Sequence, residues 1–337
     1  MNLSVIGAGA WGTTLAKLFS ENDHRVDLWT HEPEIADHIN KFHENQIFLK
    51  GISLLGNITA NTSLEKVVSK NSILIFAVPS NFLRNTALEV KKNLNGRPIG
   101  ILNAAKGLES ISGSRLSKVL LEVFEIQEDS PEDRIAALSG PNLAPEIASG
   151  KMGATVIASP CEELSQSLQE ALSSKSFRVY RHSDRIGVEL GGTLKNIFAI
   201  GAGILKGMNL GDNALAAYLT RSLHEMVRLG TKLGGQRATF YGLSGLGDLM
   251  ATAMSPLSRN HRLGKAIAEG NLPSFQKESA LQAIEGVETA RMALSWGKKL
   301  TIPLPITEEI CRVLFENKPP QNAAKDLMTR SLKDEED

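Results

Sequence analysis

Six residues, Gly7-Ala8-Gly9-Ala10-Trp11-Gly12, constrain this chain more than any other stretch. They follow the apolar run Leu3-Ser4-Val5-Ile6. A helical pattern from Thr13 to Asn22 comes next, and then a second strand pattern from Arg25 to Trp29. The three glycines of such a strand-to-helix turn have separate uses. Gly7 permits the tight turn, Gly9 lets a pyrophosphate approach the backbone, and Gly12 lets the helix pack on the strand. The helix N-terminus then offers free N–H donors to the anion. In this setting the motif predicts a βαβ unit that binds a dinucleotide.

Further apolar runs at 73–78, 99–102, 135–138, 154–157 and 177–180 read as strands, most of them separated by helical patterns. Such alternation predicts a mostly parallel, doubly wound sheet. From about Ile186 the strand-like runs stop. Apolar residues then recur at helical spacing near 187–206, 212–233, 259–269, 286–299, 305–316 and 321–332. The expected fold class is therefore α/β plus all-α. A Rossmann domain at 1–185 is followed by a helical domain at 186–337, ending in a frayed, charged tail at 333–337. A chain of 337 residues fits two domains.

Composition narrows the function. Lys plus Arg and Asp plus Glu number 37 each, and aromatics are 5%. This weighs against a strongly basic nucleic-acid binder and against broad base-stacking surfaces. Cys161 and Cys311 stand far apart with no nearby histidine cluster, so no disulfide framework and no metal site is expected, only inert buried thiols. Met1-Asn2 leads straight into the first strand without a signal-peptide pattern. The longest apolar stretch, 190–205, is too short and too interrupted to span a bilayer. A cytoplasmic protein with no membrane span is the expectation.

The tip of the second strand bears on cofactor choice. A carboxylate there bonds the ribose hydroxyls of NAD and repels a 2′-phosphate. Here Thr30 and His31 occupy the tip and Glu32 comes slightly late. NADPH is expected to be accepted, with NADH as a further possibility.

Chemistry-bearing residues cluster in the second half. On a helix, Lys195 shares its face with Val188, Gly191, Gly192, Phe198, Ala199 and Ala202, all small or apolar. It is either a lysine snorkelling to the rim or a desolvated ammonium fit for acid/base work. Ser258 suits a helix N-cap, which puts Arg259 and Asn260 in the first turn. That arrangement suits a phosphate, or merely caps a helix. Asp248, after the Gly-rich loop 242–247, either orients Lys195 or bonds a substrate hydroxyl, or caps the helix at 249–254. Lys106 and Gly140 follow strands at the carboxyl edge, where doubly wound sheets bind ligands.

Taken together, GAGAWG at 7–12, LWTHEPE at 28–34, VPS at 78–80, AKGLE at 105–109, SGPNLAPE at 139–146, ELGGTLKNIFAIGAGI at 189–204, GLGDL at 245–249, SRNHRLG at 258–264, EGVETA at 285–290 and PLPITEEI at 303–310 closely resemble the bacterial-type NAD(P)-dependent glycerol-3-phosphate dehydrogenases. The resemblance covers nearly the whole chain. It implies reduction of dihydroxyacetone phosphate to sn-glycerol 3-phosphate for phospholipid synthesis, with Lys195 as proton donor and acceptor and a homodimeric assembly. It also implies that Asn196, Asp248 and Thr252 stand with Lys195. Lys106, Gly140, Asn142, Lys195, Asp248, Ser258, Arg259 and Asn260 match substrate positions. Gly7, Gly9, Ala10, Trp11, Gly12, His31, Phe82, Lys106, Ala144, Arg259, Ala283 and Glu285 match cofactor positions. One departure stands out: the family usually has Ser or Thr at Asn142 and Phe at Leu143, although an amide still donates a hydrogen bond. Two rivals remain: a related dehydrogenase acting on a hydroxyacyl thioester or keto acid, and a dinucleotide-sensing regulator with no need of Lys195.

Overall fold

A computed structural model describes residues 1–94, 96–97, 99–272, 284–332 and 334–335. The first half is one sheet of eight strands: β1 (Asn2–Ile6), β2 (Arg25–Trp29), β3 (Ile58–Asn61), β4 (Ile73–Phe76), β5 (Gly100–Asn103), β6 (Ile135–Ser139), β7 (Gly153–Ala158) and β8 (Phe177–His182). Their order across the sheet is β3-β2-β1-β4-β5-β6-β7-β8. All neighbours are parallel except β6 and β7. The chain reverses its direction of growth between β1 and β4, the switch point where such sheets open a crevice for ligands.

The strands are apolar on both faces because helices cover both. Val5, Ile75 and Leu102 join one buried cluster, while their chain neighbours Ile6, Leu74, Phe76 and Ile101 join the cluster on the other side. The helices that cover the sheet are α1 (Ala10–Glu21), α2 (Pro33–Phe42), α3 (Leu64–Val68), α4 (Leu83–Leu94), α5 (Leu116–Phe124), α6 (Ala144–Ala148) and α7 (Glu162–Leu172). α1 begins inside the Gly-rich motif, three residues earlier than the sequence pattern suggests. β3 lacks a sequence signal: Ile-Thr-Ala-Asn is short, half polar and at the sheet edge.

The second half is helical: α8 (Arg185–Gly207), α9 (Gly211–Lys232), α10 (Asp248–Met254), α11 (Arg259–Ala268), α12 (Glu285–Lys299), α13 (Pro305–Phe315) and α14 (Pro320–Met328). α8 is its axis. Asp184 caps it by accepting the Gly187 N–H at 2.8 Å, and the same carboxylate accepts Gln236 N–H and the Thr239 hydroxyl. α11 crosses α8 backbone to backbone. A Cβ on Gly203 would overlap the His261 carbonyl, and one on Gly264 would overlap that of Ile200.

Two expectations need correction. At 23 residues α8 is long and apolar enough by length and composition to cross a membrane; what argues against that use is packing, since 94% of its apolar window is buried inside the protein. Of the two thiols, both free, Cys311 is buried but Cys161 is partly exposed. No group of His, Cys, Asp and Glu suited to a metal occurs among the described residues.

Candidate active site

The carboxyl ends of β5 and β6 point the same way, so the loops after them meet. Lys106, three residues past β5, donates to the Gly140 carbonyl at 2.9 Å and to Asp248 Oδ2 at 2.5 Å. Gly140 has φ +150°, and a Cβ there would stand 3.1 Å from Thr155, so the turn holds its carbonyl toward Lys106 only with glycine in place.

Asp248 opens α10, and its other oxygen faces Lys195 Nζ at 3.1 Å. One turn along α10, the Thr252 hydroxyl donates to Asp248 Oδ1 at 3.1 Å and lies 2.5 Å from Lys195 Nζ. Glycines on α8 allow this approach. A Cβ on Gly191 would stand 2.7 Å from the Ser244 carbonyl, in the turn that leads into α10. Lys195 is 7% exposed. Burial lowers its pKa to about 8; Asp248 resists that fall and the Lys106 charge aids it. One buried carboxylate thus serves two ammonium groups, and burial makes Lys195 readier to lose a proton than an ordinary lysine.

A second chain of bonds starts one residue along α8. Asn196 Nδ2 donates to Glu285 Oε2 at 3.4 Å. Asn260 Nδ2 donates to Asn196 Oδ1 at 2.9 Å, and Asn260 Oδ1 accepts the Gly286 N–H at 3.1 Å. This ties α8, α11 and the start of α12 together beside Lys195. Burial raises the Glu285 pKa, against the pull of the Arg259, Lys195 and Lys106 charges. Ser258 caps α11 through the His261 N–H at 3.2 Å, which leaves Arg259 as the first helical residue.

At the switch point, Gly7 has φ +114°, a region costly for any other residue, and a Cβ there would press on Ala77. A Cβ on Gly12 would overlap the Gly7 carbonyl, whereas one on Gly9 would meet nothing within 4 Å. Gly9 begins α1 without a side-chain cap. The loop is therefore tight beneath and open above, with α1 donors facing the opening.

Two family descriptions match the chain: "NAD-dependent glycerol-3-phosphate dehydrogenase N-terminus" over residues 2–165 and its C-terminus over 184–325. The chain belongs to the NAD-dependent glycerol-3-phosphate dehydrogenase family. The glycerol-3-phosphate dehydrogenase (NAD(P)+) of Chlorobium phaeobacteroides is 42% identical over 335 residues, with 99% of each chain covered. That of Pelodictyon phaeoclathratiforme is 40% identical over 338 residues, with 100% of each covered. The crystal structure of the Coxiella burnetii glycerol-3-phosphate dehydrogenase superposes with a TM-score of 0.89 at 34% identity, covering 98% of this chain and 99% of that one. As a member of the family, the chain is an oxidoreductase with a Rossmann sheet and a helical second part.

Bonds join Lys106, Gly140, Lys195, Asp248 and Thr252 in one network and Asn196, Asn260 and Glu285 in another; Arg259, next to the Ser258 cap, acts on Glu285 by its charge. The residues fit a dinucleotide on three observations. The Gly7–Gly12 cradle has no room beneath for a Cβ and open space above Gly9. The Trp11 indole N–H is buried with no protein partner. Phe82 stands 56% exposed in the turn just past the carboxyl end of β4, an accessible apolar ring. His31 is exposed past β2, and Ala10 and Ala144 are the first residues of α1 and α6. The Thr14 hydroxyl joins α1 to α6 at the Ala144 carbonyl, 3.4 Å away. Asn142 does not face Lys195 through its amide N–H, which donates to Thr155 Oγ1 at 3.0 Å; its Oδ1 is buried without a protein partner. Asn260 uses both amide atoms on α8 and α12. Ala283 lies outside the described residues. Thr193 and Asn45 carry no signal in the sequence pattern, and Thr30, placed at the strand tip, gains a partner there. Thr193 bonds the Gly107 backbone. Thr30 donates to Glu32 Oε2 at 2.7 Å. Asn45 reaches the Gly-rich loop.

Proposed function

We propose that this chain catalyses the reversible reduction of dihydroxyacetone phosphate to sn-glycerol 3-phosphate with NADPH or NADH. The observation that carries this reading is Lys195, buried, held by Thr252 and Asp248, with its pKa brought down to about 8. Bound nicotinamide supplies the hydride that C2 of the substrate receives. Lys195 gives its proton to the C2 oxygen as charge develops there, which contributes roughly 10²–10⁴-fold in rate. Asp248 and Thr252 fix the ammonium; Asn196 fixes its neighbour Glu285.

In this reading Lys106, Arg259, Ser258 and Gly140 bind the phosphate and hydroxyl groups of the substrate. Asn142 offers its unpaired Oδ1, and Asn260 acts by holding the first turn of α11. The cofactor is taken by Gly7, Gly9, Ala10, Trp11, Gly12, His31, Phe82, Lys106, Ala144, Arg259, Ala283 and Glu285. Thr30 holds the Glu32 carboxylate near the tip of β2, which suits ribose hydroxyls, while the exposed His31 beside it supports tolerance of a 2′-phosphate. The Rossmann and helical domains divide at 185/186. The enzyme works in the cytoplasm as a homodimer and supplies phospholipid synthesis.

Absorbance at 340 nm with dihydroxyacetone phosphate and each cofactor tests the reading. Oxidation of NADPH that depends on this substrate is expected. No turnover with either cofactor overturns the activity. A preference for NADH above about a thousandfold, or ~4 kcal/mol, overturns the cofactor part.

A further inference from the structure

Between α2 and β3 the chain runs through a long stretch, 43–57, with a single fully buried amide in it. Asn45 is 1% exposed. Its Nδ2 donates to the Ala8 carbonyl at 2.8 Å and to Thr13 Oγ1 at 2.8 Å. Its Oδ1 accepts the Phe48 N–H at 3.1 Å, which fixes which way round the amide sits. Thr13 is fully buried and donates its hydroxyl to the same Ala8 carbonyl at 3.2 Å. Two donors from two elements therefore converge on one carbonyl in the middle of the Gly-rich turn.

The geometry of a peptide unit gives this convergence a consequence. The unit is planar, and no cis bond occurs here, so the Ala8 carbonyl and the Gly9 N–H point in opposite directions. Holding the carbonyl inward turns the Gly9 N–H outward, to the open side where a Cβ would meet nothing. Among the described residues no protein acceptor takes that N–H. Were the unit to flip, a carbonyl oxygen would face the pyrophosphate and repel it. Such a flip turns φ of Gly9 and ψ of Ala8, and Gly9 has no Cβ to resist its share of the rotation.

We infer that Asn45, with Thr13, is a positioning residue for the dinucleotide: it locks the Ala8–Gly9 peptide in the one orientation that presents an N–H to the pyrophosphate. This rests on the dinucleotide reading of the Gly-rich turn. It predicts a defect confined to the pyrophosphate. Ligands that carry one lose affinity when the clamp is cut, while ligands that use only the adenosine end do not.

The experiment is calorimetric titration of the full chain with NADPH, ADP-ribose and adenosine 2′-monophosphate, beside a thermal melt. Asn45→Leu and Thr13→Val should each weaken NADPH and ADP-ribose by about tenfold or more. Adenosine 2′-monophosphate should stay within about twofold of wild type, because it places no pyrophosphate on the loop. Thr13→Ser keeps the hydroxyl and should bind as wild type does. In steady state, KM for NADPH should rise while kcat at saturation holds. If Asn45→Leu does not fold, the Thr13 pair decides alone. Folded variants that bind ADP-ribose as tightly as wild type overturn the clamp. So does an equal loss for all three ligands, which marks general loosening. A wild-type chain that binds neither NADPH nor ADP-ribose overturns the dinucleotide reading and the clamp together.

Discussion

Helix α8 carries two buried clusters of charge, and they treat their charges in opposite ways. Near its start, Arg185 makes bonds of 2.7 and 2.8 Å to Asp133 and one of 3.2 Å to Glu128. Arg115 joins Glu128 at 2.8 Å and Glu189 at 3.0 Å. Burial works against both guanidinium groups, yet the facing carboxylates more than offset it, and both pKa values are raised. Two cations meet three anions there. Ten residues on, Lys195 shares one carboxylate with Lys106, and its charged form is disfavoured. The first cluster saturates its charges and makes a joint between sheet and helix. The second leaves one charge short, as suits the proton donor proposed for Lys195. Burial alone does not mark a working residue; the local count of opposite charges does.

The sharpest way to break this contrast is Lys195→Met. It keeps the stem but removes the proton, so kcat should fall by about two orders of magnitude or more. The melting temperature should hold or rise, because a poorly compensated charge has gone. Lys195→Arg should fail nearly as badly, since a guanidinium holds its proton too firmly. Near-normal kcat in folded Lys195→Met would make that lysine structural after all.

Asp133→Asn should do the reverse. It strips Arg185 of its main partner and should cost about 3–5 kcal/mol of stability. The enzyme that remains folded should keep its kcat. A large kcat loss without a stability loss would erase the distinction between the clusters. Arg259→Ala comes next in size. It should raise KM for dihydroxyacetone phosphate at least about tenfold, the value of one charge-assisted bond. Unchanged KM values for substrate and cofactor would reduce Arg259 to the first turn of a capped helix.

The smallest effect is on pH dependence. Reduction needs the ammonium, so its kcat should fall as pH rises through about 8, and oxidation should rise through the same value. Stability follows a definite sign. Between about 8 and the ordinary 10.5, the unfolded chain binds more protons at Lys195 than the folded one. The contribution of Lys195 to stability therefore increases across that window and is a cost below it. Denaturant midpoints on either side of the window should show that rise in wild type and lose it in Lys195→Met.

Much of this is legible in the sequence. Continuous apolar runs mark strands buried on both faces, so β1, β4, β5 and β6 stand out. The edge strand β3, covered less and half polar, does not. The face of Lys195 is legible because helical neighbours are fixed by periodicity. What faces it from outside α8 is not: Asp248 and Thr252 come from a helix more than fifty residues on, and Lys106 from a loop far upstream. Periodicity says nothing of such meetings. Asn45 is the extreme case, a polar residue in an irregular segment whose importance lies wholly in what folds against it.

Helix α8 also has a bearing on how the chain tolerates changes of length. It is fastened near its N-terminus by Arg185 and again around Lys195, about 15 Å further on at 1.5 Å per residue. Two fixed points on one rigid rod set angle as well as distance. A single residue inserted between them would advance the far half by about 1.5 Å and swing it by about 100°. Lys195 would then leave Asp248 behind and point into the core, however good a helix former the newcomer was. Positions 186–194 can thus exchange side chains of suitable size but cannot gain or lose a residue. Insertions and deletions belong instead in connections such as 208–210, which lie beyond both fastenings.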